Sequence, residues 1–389
     1  MQHKPGNNIY KLYIIKIAKW FMLFMPIVVL FYEDNGLEMR HVFLLQAIYS
    51  VSIVALEIPS GYFADAMGRK STLIIGTILG FLGFLTYSFS YGFAGFLIAE
   101  IILGIGQSLI SGADSAMLYD TLQESGKKEQ YIKFEGRMVS IGNFAEAIAG
   151  ILGGLLAGIS LRYPYYAQTL VAFTGIPAAI LLVEPQKHRD VIKLKLNDIL
   201  KIVKYALHDH RELKWNIIFS SVIGASTLTM AWFVQPYFEF IALPVTLFGI
   251  FWTMLNLTVG VSAIFAHKIE SRLKQVKIML WISILIPAGY LVISRINALW
   301  GIGVLFVFYF VRGVATPVLK DYINQLCDST IRATVLSVRN FVIRIFFAFI
   351  GPFVGWYTDT YSLSAALLLS GGIFFVLAIL TFTLYMKKR

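Results

Sequence analysis

Cysteine occurs once, at Cys327, and charged residues of both signs make up only 14% of the 389-residue chain. A lone cysteine excludes an intramolecular disulfide and a cysteine-based metal cluster. A charged fraction far below the ~25% of soluble domains excludes an ordinary soluble globular protein, a disordered chain and a coiled coil. No glycine-rich loop ending in Gly-Lys-Ser/Thr occurs, which removes ATP as an energy source. The six histidines show no metal-ligand spacing, and no Ser/His/Asp grouping can be assembled. The chain is expected to be no enzyme and to need no cofactor.

What is abundant is apolar length. Hydrophobic residues make up 58% of the chain, gathered into twelve stretches between residues 9 and 386. Each is close to the ~20 residues a helix needs to cross a bilayer. Lipid offers no partners to backbone N–H and C=O groups, and the runs are too uniformly apolar for barrel strands. The fold class is therefore all-α: a polytopic membrane protein of 12 transmembrane helices. The first stretch carries Lys16 and Lys19 and no small-residue cleavage site follows it, so it is expected to be retained.

Acidic residues number only 22 against 33 lysines and arginines, a net charge of +11. With the N-terminus in the cytoplasm, cytoplasmic segments hold 25 of those 33 basic residues and the opposite loops three, Arg40, Arg162 and Arg295. This bias predicts both termini on the cytoplasmic side of the cell membrane and explains the charge without nucleic acid. Anionic membrane lipids are the expected surface partners. The longest hydrophilic connection divides the chain into an N-terminal six-helix bundle (1–184), a cytoplasmic linker with an amphipathic helix (185–214) and a C-terminal six-helix bundle (215–389). Ser140, Asn143, Phe144, Gly154 and Gly158 recur as Ser337, Asn340, Phe341, Gly351 and Gly355 at an offset of 197, which makes the two bundles a pseudo-symmetric repeat. Duplicated bundles place a site near the midplane between the halves and rock about it.

Residues 61–70 read Gly61-Tyr-Phe-Ala-Asp65-Ala-Met-Gly68-Arg69-Lys70. The segment resembles the signature loop between spans 2 and 3 of the major facilitator superfamily, G-x-x-x-D-R-x-G-R-K, with alanine at position 66 in place of the basic residue. The drug and metabolite exporter branch is the most similar, through Asp120. The glycines permit a tight turn, and Asp65 and Arg69 can pair at the membrane edge. The resemblance implies a cytoplasmic gate built from Gly61, Asp65, Gly68, Arg69, Lys70 and Asp120.

An ionisable group at bilayer depth costs at least ~2.5 kcal/mol, so each needs a partner or a watery path. Spans 3, 6, 9 and 12 contain none in their interiors, which suits them to face lipid. On span 4, Glu100, Gly104, Gln107, Ser111 and Asp114 recur at helical spacing and form one polar stripe. Ser140, Asn143 and Glu146 do so on span 5, and Ser337, Asn340 and Arg344 on span 11. Glu146 and Arg344 are expected to pair across the halves. The expected substrate and proton cavity comprises Lys19, Glu57, Glu100, Gln107, Asp114, Asn143, Glu146, Arg312, Asn340 and Arg344. Glu100 reverses the charge of a span-4 arginine carried by many proton-coupled exporters of the superfamily. Span 5 lacks their glycine-proline pair, which stands instead at Gly351-Pro352 in span 11.

These features predict a monomeric secondary transporter of a small organic molecule, working by alternating access and coupled to protons, with export as the first reading. The alternatives are a proton-coupled or facilitative importer of a polar or anionic metabolite, and a lipid-moving or sensor protein on the same fold.

Overall fold

The computed structural model describes residues 7–185, 196–328 and 331–387, the side chains of 57–66, 132, 196, 197 and 333 excepted. Among these residues there is no strand. The helices are α1 (Asn8–Trp20), α2 (Val28–Asp34), α3 (Met39–Met67), α4 (Arg69–Phe89), α5 (Gly92–Ile110), α6 (Ala113–Glu124), α7 (Tyr131–Ala157), α8 (Tyr163–Ile180), α9 (Leu196–Lys204), α10 (Arg211–Phe240), α11 (Val245–Ile293), α12 (Ile302–Asn324), α13 (Arg332–Thr360) and α14 (Leu363–Met386). Ten helical segments among the described residues are long and apolar enough to cross a membrane. One of them, α11, breaks at Lys274 (φ 60°, ψ 161°) and supplies two of the expected spans. The remaining expected span is α8, whose first turns carry Tyr163, Pro164, Tyr165, Tyr166 and Gln168 and are the more polar for it.

Two spans expected to be continuous are interrupted. The first stops at Trp20 and resumes through a short tight turn at Met25–Ile27, where Pro26 has no N–H to give to a helical ladder. The N–H of Leu23, released by the break, donates to Gln168 Oε1 at 2.9 Å. The fourth span breaks between α5 and α6 at Gly112, whose φ of 87° is open to glycine and strained for other residues.

The helices gather into two compact units, and neither is one stretch of chain. Unit 1 comprises Met1–Leu37, Ile48–Val191 and Pro244–Thr253; unit 2 comprises Glu38–Ala47, Ile192–Leu243 and Met254–Arg389. In unit 1 the start of α11 lies so close to α7 that a Cβ on Gly249 would overlap the Gly150 carbonyl. Thr253 Oγ1 donates to the Ala147 carbonyl at 3.1 Å in the same contact. In unit 2 the start of α3 lies against α13, where a side chain on Gly355 would meet the Met39 carbonyl at 2.7 Å. The Asp359 carboxylate accepts the N–H groups of Met39 and Arg40, each at 2.8 Å, at the first turn of α3. Such groups have no partner within their own helix. A side chain on Gly154 would likewise meet Gly249 N at 2.9 Å, so the repeated Gly154 and Gly355 each let another helix approach closely within their own unit.

An apolar core in unit 1 centres on Leu12, Leu73, Met117, Leu118 and Met138. In unit 2, Ile202 of α9 and Ala206 just beyond it pack on Leu213, Ile217, Ile323 and Val335. The amphipathic segment expected in the linker is therefore seated on unit 2 by its apolar side.

Candidate functional site

Three charged centres are built inside unit 1. The first is the α3–α4 turn. Gly68 has φ 94°, and a side chain there would come within 3.2 Å of the Glu184 carboxyl group. Arg69, opening α4, forms an ion pair with Asp120 of α6 and donates to the Ala116 carbonyl. The backbone N–H groups of Arg69 and Lys70 donate to the two oxygens of Glu184, at 2.8 and 2.7 Å. Glu184 therefore caps the first turn of α4, where a carboxylate also meets the positive end of the helix dipole. The sequence reading passed over Glu184; its one signal is an acid closing span 6 just before the linker. Arg69, Lys70 and Asp120 lie together, whereas Glu57, Gly61 and Asp65 lie outside the described side chains.

The second centre joins two segments that are long and apolar enough to cross a membrane, Asn8–Asp34 and Gly92–Glu124. Lys16 Nζ of α1 stands 3.5 Å from Asp114 Oδ2, with side-chain exposures of 12% and 7%. Asp114 sits in the first turn of α6, immediately after the Gly112 break, and its other oxygen accepts the Ser115 N–H at 2.8 Å. Lys16 also reaches over the Trp20 ring, 5.7 Å from its centroid. Lys16 and Lys19 share a face of α1, but it is Lys16 that pairs. Among the described residues no carboxylate lies within 4.0 Å of Lys19.

The third centre surrounds Glu100. Its carboxylate, 5% exposed, accepts from the hydroxyls of Tyr32 (2.9 Å) and Tyr87 (2.7 Å), which stand 2.5 Å from each other. The rings of Phe31, Phe96 and Tyr165 pack around them. Spacing on span 4 suggested a cavity-lining stripe. The structure instead buries Glu100 in an aromatic cluster and packs Gly104 on Ser52 and Tyr49 of α3, so Glu100 is fixed by phenols rather than held facing water.

The other expected residues divide between the units, Gln107, Asn143 and Glu146 in unit 1 and Arg312, Asn340 and Arg344 in unit 2. Gln107 and Glu146 are half-buried and Asn143 is exposed. In unit 2, Arg312 stacks over the Tyr309 ring at 5.4 Å. Asn340 is exposed and accepts from Arg339 at 3.3 Å, while Arg344 is half-buried. Glu146 belongs to unit 1 and Arg344 to unit 2. No group of three His, Cys, Asp or Glu residues suited to a metal ion occurs among the described residues.

The family model of the Major Facilitator Superfamily matches residues 13–352. Quinolone resistance protein NorA of Staphylococcus aureus (strain MRSA252) is 24% identical over 166 residues, 42% of this chain and 42% of that protein. Multidrug resistance protein 2 of Bacillus subtilis (strain 168) is 22% identical over 236 residues, 57% of this chain and 58% of that protein. The chain thus spans about half the length of the curated relatives it matches. The nucleoside transporter NupG has a similar structure, with TM-score 0.79 and 14% identity over 99% of both chains. So has a bacterial homologue of the human lysosomal transporter Spinster, inward-facing and unoccupied, with TM-score 0.75 and 13% identity over 100% of this chain and 97% of that one. At such identities the likeness is one of fold.

Proposed function

This chain belongs to the Major Facilitator Superfamily and is a multi-pass membrane transporter rather than an enzyme; from that premise we propose that it exports a small organic molecule in exchange for protons, by alternating access. The Lys16–Asp114 pair carries this reading. Charges at membrane depth are costly and mark ion and substrate pathways, and this pair joins a proton-accepting group to a removable counter-charge. In the proposed cycle a proton takes the place of Lys16 on Asp114 as the cavity changes sides. The Arg69–Asp120 ion pair and the Glu184 cap brace the turn that would act as the cytoplasmic gate.

The names of the curated relatives, which are quinolone and multidrug resistance proteins, support export. Acidic and basic groups among the candidate residues favour a zwitterionic or anionic molecule over a purely cationic one. A quinolone, with its carboxylate and amine, is the substrate to try first. In this reading six-span halves at 1–184 and 215–389, joined by 185–214, rock about a site between them. The protein acts as a monomer in the cell membrane with both termini in the cytoplasm. Arg312, Arg344 and Lys19 favour a second reading, import of a polar or anionic metabolite.

Everted membrane vesicles energised to be acid inside separate the two. They should accumulate a labelled quinolone and release protons on its addition, and Asp114→Asn should abolish both responses. Uptake by whole cells that rises with the amount of protein would instead establish import.

A further inference from the structure

Glu135 of α7 is a carboxylate that the proton exchange proposed above does not use. Its Oε1 accepts the Ser115 hydroxyl at 2.8 Å, and the N–H of the same serine donates to Asp114 Oδ1 at 2.8 Å. One residue of α6 thus holds both carboxyl groups. The Tyr131 phenol, at the start of α7, lies within the field of each of them. Glu135, Met138 and Gly142 follow one another at helical spacing on one face of α7. A side chain on Gly142 would lie 3.6 Å from Lys16 Cε, and Met138 packs with Leu12 of α1 and Met117 of α6. Glu135 is therefore on the face of α7 that meets α1 and α6. The ionisable groups of the elements packed there are Tyr13 and Lys16 on α1, Asp114 and Tyr119 on α6, Tyr131 on α7 itself, and Lys128, which lies over the Tyr119 ring.

The second oxygen of Glu135, Oε2, is shut away from water and has no hydrogen-bond partner among the described residues. A buried carboxylate oxygen to which nothing donates is costly, and a proton placed on it removes the cost. Depth sets the order of the two acids. Asp114 lies ~15 Å along α6 from its end at Glu124, whereas Glu135 lies only ~6 Å along α7 from its start at Tyr131. In the orientation proposed above, the turn joining these ends is cytoplasmic, so Glu135 stands between Asp114 and the cytoplasm.

We propose that Glu135 is the station through which the proton of Asp114 reaches the cytoplasm, a role that rests on the proton exchange proposed above. As Lys16 returns to Asp114, the acid gives up its proton and the Glu135 carboxylate takes it on Oε2. Opening of the gate then releases it to water. Asp114 gains one negative charge as Glu135 loses one, and no other group changes charge. The Ser115 hydroxyl holds Oε1 throughout and leaves Oε2 to receive the proton.

Acid-minus-alkaline infrared difference spectra of the full chain in lipid, without substrate, should show a carboxylic-acid C=O band that is lost in Glu135→Gln and a second that is lost in Asp114→Asn. Two acids held by one serine sense each other, so the pH midpoint of the Asp114 band should move in Glu135→Gln. In proteoliposomes Glu135→Gln should slow gradient-driven accumulation of a labelled quinolone ~100-fold. Formate added to Glu135→Ala should restore part of the rate, a rescue that a packing role cannot give. Spectra in which Glu135→Gln loses no band and leaves the Asp114 midpoint in place, or accumulation by Glu135→Gln at the parent rate, overturn the proposal. A parent protein that neither accumulates quinolone nor releases protons ends the exporter reading instead, and the spectra then decide on Glu135. Should Glu135→Gln fail to fold, the same spectra of Glu135→Ala, with its formate rescue, decide.

Discussion

Asp114→Asn keeps the shape of the side chain and takes the negative charge away from Lys16. Both side chains are about nine-tenths buried, at 12% and 7% exposure, so water does little to screen what is lost. Removing one partner of a buried ion pair costs about 3–5 kcal/mol, because the other charge is left uncompensated. The 3.5 Å separation is longer than the ~2.8 Å of a tight charge-assisted hydrogen bond. The Trp20 ring retains some hold on the ammonium. Both facts place the expected loss at the lower end, about 3 kcal/mol. Adding Lys16→Met should recover most of it, since the pair is then replaced by groups that need no counter-charge, and the double variant should lie within about 1 kcal/mol of the parent. Denaturation of the four proteins of the cycle, followed by tryptophan fluorescence in detergent, gives the coupling energy directly. Additive effects, with a coupling below ~0.5 kcal/mol, would show that the two charges do not sense each other and would refute the reasoning.

Other parts of the fold make separate predictions. Gly249→Ala should be poorly tolerated, costing more than 2 kcal/mol or abolishing expression, because its Cβ overlaps the Gly150 carbonyl. Gly260→Ala, in the same helix with nothing within 4 Å of the added methyl, should be neutral or stabilising by up to about 1 kcal/mol; thermal melts of the pair check the contrast. Glu184→Ala removes a carboxylate from two N–H groups at once and should lower stability by about 1–2 kcal/mol, whereas Glu184→Asp should lose less; the same melts measure both. Burial pushes the Cys327 thiol above its usual range, so less of it is thiolate at neutral pH. Maleimide labelling of the native protein should therefore be slow at pH 7, quicken as pH rises, and run faster at every pH once the chain is unfolded.

Much of the fold is legible because apolar length is a direct readout of the bilayer. Pro26 and Gly112 stand in plain view in the sequence, yet average hydropathy runs across them and hides the breaks they cause. The Arg69–Asp120 contact follows from the motif, and the repeated glycines of spans 5 and 11 announce the close approaches made at Gly154 and Gly355. Spacing along one helix says which residues share a face, and it does not say what the face meets. Glu100 and Asp114 fall on one stripe by spacing. Tyr32 and Tyr87, supplied by other helices, close over the first, and Lys16 meets the second. Lys16 and Lys19 are three residues apart on one face, so only the position of α6 distinguishes them. Glu184 lies more than a hundred residues from the turn it caps.

Transport in two modes by one preparation tests the central claim, that Asp114 couples protons to substrate. In proteoliposomes, counterflow exchange of a labelled quinolone requires the moving halves but no proton gradient, whereas uphill accumulation requires both. Asp114→Asn is predicted to keep counterflow and to lose gradient-driven accumulation. Accumulation by Asp114→Asn at the level of the parent protein would contradict the account.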